Sequence, residues 1–189
     1  MPKRSIPAQR GFFPQPAYLI GTYKDNGKPN FALVTWVTFC SADPPMIMFV
    51  FRGKKASREL VERNRVFTLN LVTTEMMGMA DYFGARSGYT IDKCKEVKAN
   101  YSNGRAVNAP ILDMSPWVYE CQLADTKQVG DSTIYIGEIM VTTVDDKIKS
   151  TAYGKVDLLD IDPVIYAPGG YYKLDGRIGN VGEVQKKLK

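Results

Sequence analysis

The residues best suited to chemistry in this sequence are the cations Arg52, Lys54, Lys55 and Arg58, which surround Ser57. Ser57 opens a helix-forming stretch that runs to Asn64, and serine is a good N-cap residue. Cations at that end oppose the helix macrodipole, each by about 0.3–1 kcal/mol. A bound anion resolves the conflict, because free N–H groups, a hydroxyl and positive side chains all converge on it. The cluster reads as a phosphate-type site, with a solvated basic loop as the plain alternative.

Two further places invite a ligand. In Val34-Thr35-Trp36-Val37-Thr38-Phe39, alternation puts Val34, Trp36 and Thr38 on one face and Thr35, Val37 and Phe39 on the other. Both faces are apolar with threonines between, as in a strand lying between core and a second buried surface. Core packing explains this; a planar ligand laid along the strand, its rim bonded by the hydroxyls, explains it too. Asn70 sits inside an alternating segment, where an amide must be satisfied either by neighbouring backbone or by a ligand.

Other chemistries are excluded by composition. The 189 residues contain no histidine, which removes His-based zinc sites, Ser-His-Asp and Cys-His catalysis and His-ligated haem. Neither GxGxxG nor GxxxxGK[ST] occurs. The net charge of +5 belongs to the ends: Lys3, Arg4, Arg10, Lys186, Lys187 and Lys189 leave 19 basic residues against 20 acidic in the remainder. A nucleic-acid-binding body is not expected. Cys40, Cys94 and Cys121 are three, scattered and without CxxC spacing, so buried or half-buried free thiols in a reducing cytoplasm are expected. No apolar run is long enough for a membrane span, and no apolar stretch follows the basic N-terminus as a signal peptide requires.

The elements that must position these residues are mostly strands. A proline-rich arm occupies the first sixteen residues, and a strand follows over 17–23. Asn26-Gly27 then predicts a type I′ hairpin turn, with a returning strand from Phe31 to Cys40. Asp43-Pro44-Pro45 turns the chain again into Met46–Phe51, which is apolar on both faces. Val66–Val72 alternates, with Phe67, Leu69 and Leu71 together. Met76, Met79, Ala80 and Phe83 fall at i, i+3, i+4 and i+7, one face of a helix over 75–83. Residues 87–110 read as loop with one short helix, 117–128 and 133–144 as strands joined at Gly130-Asp131, and 158–164 as a short helical turn or loop. Pro168-Gly169-Gly170 breaks the chain before Tyr171-Tyr172. Six strands with hairpin connections and few helices predict a mainly β (α+β) fold, an antiparallel barrel with short peripheral helices, in one domain over residues 10–185. Residues 1–9 and 186–189 form basic, irregular tails.

Ordered along the chain, these segments resemble the flavin reductase-like, flavoredoxin-type family. The likeness is carried by Gly27-Lys28-Pro29-Asn30, Thr35-Trp36-Val37-Thr38, Asp43-Pro44-Pro45, Arg52 to Ser57, and the strand with Asn70. It continues through Ala80-Asp81-Tyr82-Phe83-Gly84, Ser87-Gly88, Asp92-Lys93, Tyr135-Ile136-Gly137-Glu138-Ile139 and Gly170-Tyr171-Tyr172. The resemblance implies an FMN-binding split barrel, a homodimer with flavin near the subunit interface. It implies that Thr35, Trp36, Val37 and Thr38 run beside the isoalloxazine ring, and that Arg52, Lys54, Lys55 and Ser57 hold the phosphate. Asn70 would reach the flavin or its ribityl chain, while Ser87, Gly88 and Lys93 would close the site. This chain departs from the family pattern at Asp131-Ser132, where a histidine is common, and at Cys94, where an aromatic is common. The implied activity is an NAD(P)H-dependent flavin reductase, using NADH or NADPH, in which the cofactor does the redox chemistry. The alternatives are a flavoredoxin-type electron carrier reduced by a protein partner, or a ligand-binding barrel without redox function.

Overall fold

A computed structural model describes residues 1–11 and 14–181. Lys186, Lys187 and Lys189 of the expected basic tail lie outside the described residues. Among the described residues there are twelve strands and four short helices. In order they are β1 Gln15–Pro16, β2 Tyr18–Tyr23, β3 Pro29–Val34, β4 Val37–Ala42, β5 Pro45–Arg52, α1 Ala56–Asn64 and β6 Val66–Leu71. Then come α2 Met77–Ala85, α3 Lys93–Glu96, β7 Tyr101–Asn103, β8 Pro110–Leu112, β9 Trp117–Val129, β10 Ser132–Val144, α4 Leu158–Ile161, β11 Val164–Ala167 and β12 Gly170–Lys173.

The central sheet has seven antiparallel strands in the order β3-β2-β6-β9-β10-β5-β4. Its two edges, β3 and β4, are consecutive in the chain, and only Thr35 and Trp36 separate them. The predicted single strand Phe31–Cys40 is therefore two. Its first half pairs with β2 and its second with β5. At the corner the Val50 N–H donates to the Trp36 carbonyl at 3.1 Å, which ties the corner to β5. The expected burial of both faces also ends at Val37, since Thr38 and Phe39 are exposed.

Alternation sets what faces the core. Ile47, Phe49 and Phe51 of β5 are buried inside the barrel against Phe67, Leu69 and Tyr135. Phe49 and Tyr135 stack with ring centroids 5.0 Å apart. The other face of β6, Thr68 and Asn70, is covered by β8, and the stretch 87–110, expected to be loop with one short helix, also carries β7 and the start of β8, which pair with each other. A second core lies outside the barrel, where Met76, Ala80 and Phe83 pack on Leu19 and Phe31. That is the predicted apolar helix face, shifted so that Met76 precedes α2. A hairpin turn forms at Asn26-Gly27, but it is not type I′: only Gly27 has positive φ (+74°), the Gly27 N–H donates to the Lys24 carbonyl, and the Lys24 N–H donates to the Lys28 carbonyl, a three-residue loop with glycine in the left-handed position. Cys94 and Cys121 are buried thiols, but Cys40 is exposed on edge strand β4. No helix among the described residues is long and apolar enough to cross a membrane.

Candidate functional site

The corner at Thr35-Trp36 opens onto a cavity of about 1400 Å³. Its floor is the outward face of β5, Met48 and Val50, which the apolar alternation of that strand provides. One wall is Thr35, Trp36, Val37 and Thr38. The opposite wall combines Gln15 with Tyr166 of β11, brought together because β1 pairs antiparallel with β11. Toward α1 the cavity ends at Arg52, Gly53, Lys55 and Asp131. A volume of this size exceeds the ~300–1,000 Å³ of typical small-molecule pockets, so a large planar ligand and a second molecule both have room.

Ser57 does not cap α1. The N-cap is Lys55, in extended conformation and with no side-chain cap bond. The Lys55 carbonyl accepts from Arg58 and Glu59, so the N–H groups of Ala56 and Ser57 have no acceptor within the helix. Ser57 is buried in the first turn, where its Oγ accepts a 2.8 Å bond from Asn30 Nδ2. Asn30 Oδ1, also buried, has no partner. Gly88 lies directly against this amide: a Cβ there would come within 2.3 Å of Asn30 Oδ1 and 3.3 Å of Ala56 Cβ. Asn30 thus braces the helix start, a role that its place just after a strong hairpin turn did not reveal.

The cation cluster is largely paired within the protein. Arg52 donates to Asp131 Oδ2 at 2.6 and 3.1 Å, Arg58 to Glu62 at 3.0 Å, and Lys54 lies 3.9 Å from Glu59. The Arg52 guanidinium holds the Asp131 carboxyl below its ordinary range. Only Lys55 of the four has no carboxylate partner among the described residues. Three of the four cations that opposed the macrodipole are therefore neutralised, and the conflict narrows to Lys55.

Of the other predicted site residues, Asn70 lies away from the cavity. It is 0% exposed; its Nδ2 donates to the Leu19 carbonyl and to Thr68 Oγ1, both at 2.9 Å, and its Oδ1 accepts from the Leu112 N–H at 2.8 Å. Backbone satisfaction, the first of the two alternatives, is what the fold uses. Ser87 is exposed and its Oγ accepts from the Tyr89 N–H. Lys54 points into solvent at 82% side-chain exposure, 5.9 Å from the Tyr89 ring centroid. Tyr89 also donates to Glu59, which pushes its phenol up to about 12.

Lys93 is buried behind α1, and Nζ donates to the Phe83 carbonyl at 2.9 Å. Burial, with Lys24 and Lys55 nearby as like charges, pulls its ammonium down to about 8. Asp131 and the Gln15–Tyr166 wall were absent from the predicted set. The turn signal at Gly130-Asp131 located the hairpin but not what its tip faces.

The fold as a whole is found in known proteins. The fold superposes on flavoredoxin of Desulfovibrio vulgaris (Miyazaki F) with TM-score 0.88 and 28% identity, covering 97% of this chain and 99% of that one. Flavoredoxin from Methanosarcina acetivorans gives TM-score 0.86 at 24% identity over 99% and 100% of the two chains. An FMN-binding protein from Thermus thermophilus, solved with p-hydroxybenzaldehyde, gives 0.77 at 19% identity over 95% and 97%. The last two likenesses speak for the fold, a split barrel. Residues 10–175 match the sequence profile of the flavin reductase like domain. Because that match spans the barrel, the corner and the helix start together, this chain belongs to the flavin reductase like domain family.

Proposed function

We propose that this protein binds FMN in the cavity at the β3–β4 corner and works as an NAD(P)H-dependent flavin reductase, with residues 10–185 as one functional domain. The observation that carries the reading is the start of α1. The uncompensated Lys55 lines one end of a cavity floored by Met48 and Val50, and the N–H groups of Ala56 and Ser57, which have no acceptors, follow it directly in the chain. A molecule with a phosphate at one end and a flat apolar ring at the other suits that combination. FMN, when bound, supplies the redox chemistry. The protein's part is to hold it: Lys55, the free N–H groups and Ser57 at the phosphate, Thr35 to Thr38 beside the ring, and Gly88 and Lys93 behind the helix start. Because the ring does the electron transfer, no general base is required, which suits a chain without histidine.

Replacing Lys55 with alanine should weaken FMN binding about tenfold while riboflavin, which has no phosphate, changes less than about twofold. Equal losses for the two, measured by quenching of flavin fluorescence, would remove the phosphate assignment. A second reading, an electron carrier of the flavoredoxin kind, is favoured by the likeness to the Desulfovibrio flavoredoxin over nearly the whole chain. Anaerobic NADH or NADPH separates the two. Bleaching of the bound flavin within seconds is expected of the reductase, whereas reduction by dithionite alone assigns the carrier role. A homodimer, inferred from the resemblance, is open to the same preparation by light scattering.

A further inference from the structure

We propose that Asp131 makes this site select a flavin mononucleotide over a flavin dinucleotide, by offsetting the charge of Arg52 where a second phosphate would leave the cavity. The inference rests on the flavin reading above. It starts from the charge count at the α1 end. Arg52, Lys54 and Lys55 lie within four residues, yet Arg52 is held by Asp131 and Lys54 sits near Glu59. What remains is Lys55 and two N–H groups, a complement for one phosphate.

Asp131 is fixed rather than incidental. Its Oδ2 takes both Arg52 bonds, and its Oδ1 accepts from Ser132 Oγ at 2.8 Å. The hairpin tip that carries it is braced by Gln128 Nε2 donating to the Gly130 carbonyl at 2.8 Å. Thr133 Oγ1 donates to Gln128 Oε1 at 2.6 Å. Antiparallel register sets Ser132 opposite Arg52, so the carboxylate stands beside the guanidinium whenever β10 and β5 pair. Both side chains line the cavity, and the Asp131 side chain is 67% exposed. A dinucleotide has to carry its second phosphate and nucleoside past this carboxylate, and gains no cation there. A mononucleotide stops short of it.

The test uses the full chain and three ligands: riboflavin, FMN and FAD. In the wild type at low salt, FAD should bind more weakly than FMN. In Asp131→Asn, freed Arg52 should tighten FAD by about three- to tenfold relative to FMN. That gain should shrink toward nothing at about 1 M salt, where screening acts over roughly 3 Å. The double variant Arg52→Gln with Asp131→Asn restores a neutral mouth, and the FAD-to-FMN ratio should return to its wild-type value. An unchanged ratio in Asp131→Asn, with FMN still bound, overturns this inference alone. So does a gain for riboflavin as large as that for FAD, since riboflavin has no phosphate to attract. Failure of the wild type to bind any of the three overturns the flavin reading, and this inference falls with it.

Discussion

Asn70→Ala should lower the free energy of unfolding by about 3–5 kcal/mol, more than any substitution in the cavity. The side chain is fully buried in β6 and joins three elements. It ties β6 to β2 through the Leu19 carbonyl, and to β8 through the Leu112 N–H, 42 residues away in sequence. Truncation leaves those backbone groups without this partner and out of water, at about 1–3 kcal/mol for each. The cavity left by the amide adds to that. In urea the midpoint should fall with little change in slope, the signature of lost stability without a different unfolded state. Flavin affinity in the protein that remains folded should change by less than about threefold. The opposite pattern, an intact midpoint with affinity lost, would mean that Asn70 touches the ligand.

Lys93→Met should change how stability depends on pH by about 3 kcal/mol, in a direction that burial dictates. The Lys93 side chain is 4% exposed, lies 5.5 Å from the Phe83 ring centroid, and has no carboxylate partner among the described residues. Burial lowers its ammonium from 10.5 to about 8. Between those values the unfolded chain holds a proton that the folded chain has lost. Unfolding is then coupled to proton uptake, and this residue's contribution to stability rises with pH across the window. Below about pH 8 the folded protein carries a poorly solvated charge, which is a net cost. Methionine removes that cost and leaves the Phe83 carbonyl without its donor, about 1 kcal/mol the other way.

At pH 7 the variant should therefore be more stable than wild type by about 2 kcal/mol. The difference should vanish and then reverse as pH rises from 8 toward 10.5. Comparing the two proteins at each pH matters, because burial raises Cys94 to about 11 and opposes the trend in both. FMN binding at pH 7 should weaken by about tenfold in the variant, with riboflavin unaffected. A variant less stable than wild type at pH 7, or equal loss of both ligands, would show Lys93 to be a packing residue. The expected pairing, more stable but weaker binding, is the usual consequence of keeping a strained group for function.

Much of this was readable locally. Asn26-Gly27 specifies a tight turn because glycine reaches positive φ without a Cβ clash, and the turn forms there. The spacing of Met76, Met79, Ala80 and Phe83 turns one helical face inward, and three of the four are fully buried. Alternation in β5 and β6 separates core from cavity floor in the first and core from polar seam in the second. Such features depend on residues within a few positions of each other, so composition and period suffice.

The corner at Thr35-Trp36 was not readable, because nothing in six apolar and hydroxyl residues says that a strand must leave one sheet edge and join the other. Ser57 resembled an N-cap from its neighbours alone, yet helix α1 starts earlier and Asn30, 27 residues away, takes up its hydroxyl. Arg52 looked like a free cation until Asp131, 79 residues on, came to stand beside it. The sequence by itself determined the strands, the turns, the cations near Ser57 and the absence of any histidine to share the chemistry. Only the tertiary structure decided which cations stay unpaired and which amide is spent on the core. Charge compensation and burial depend on what lies within a few ångströms in space, and here those neighbours are distant in the chain.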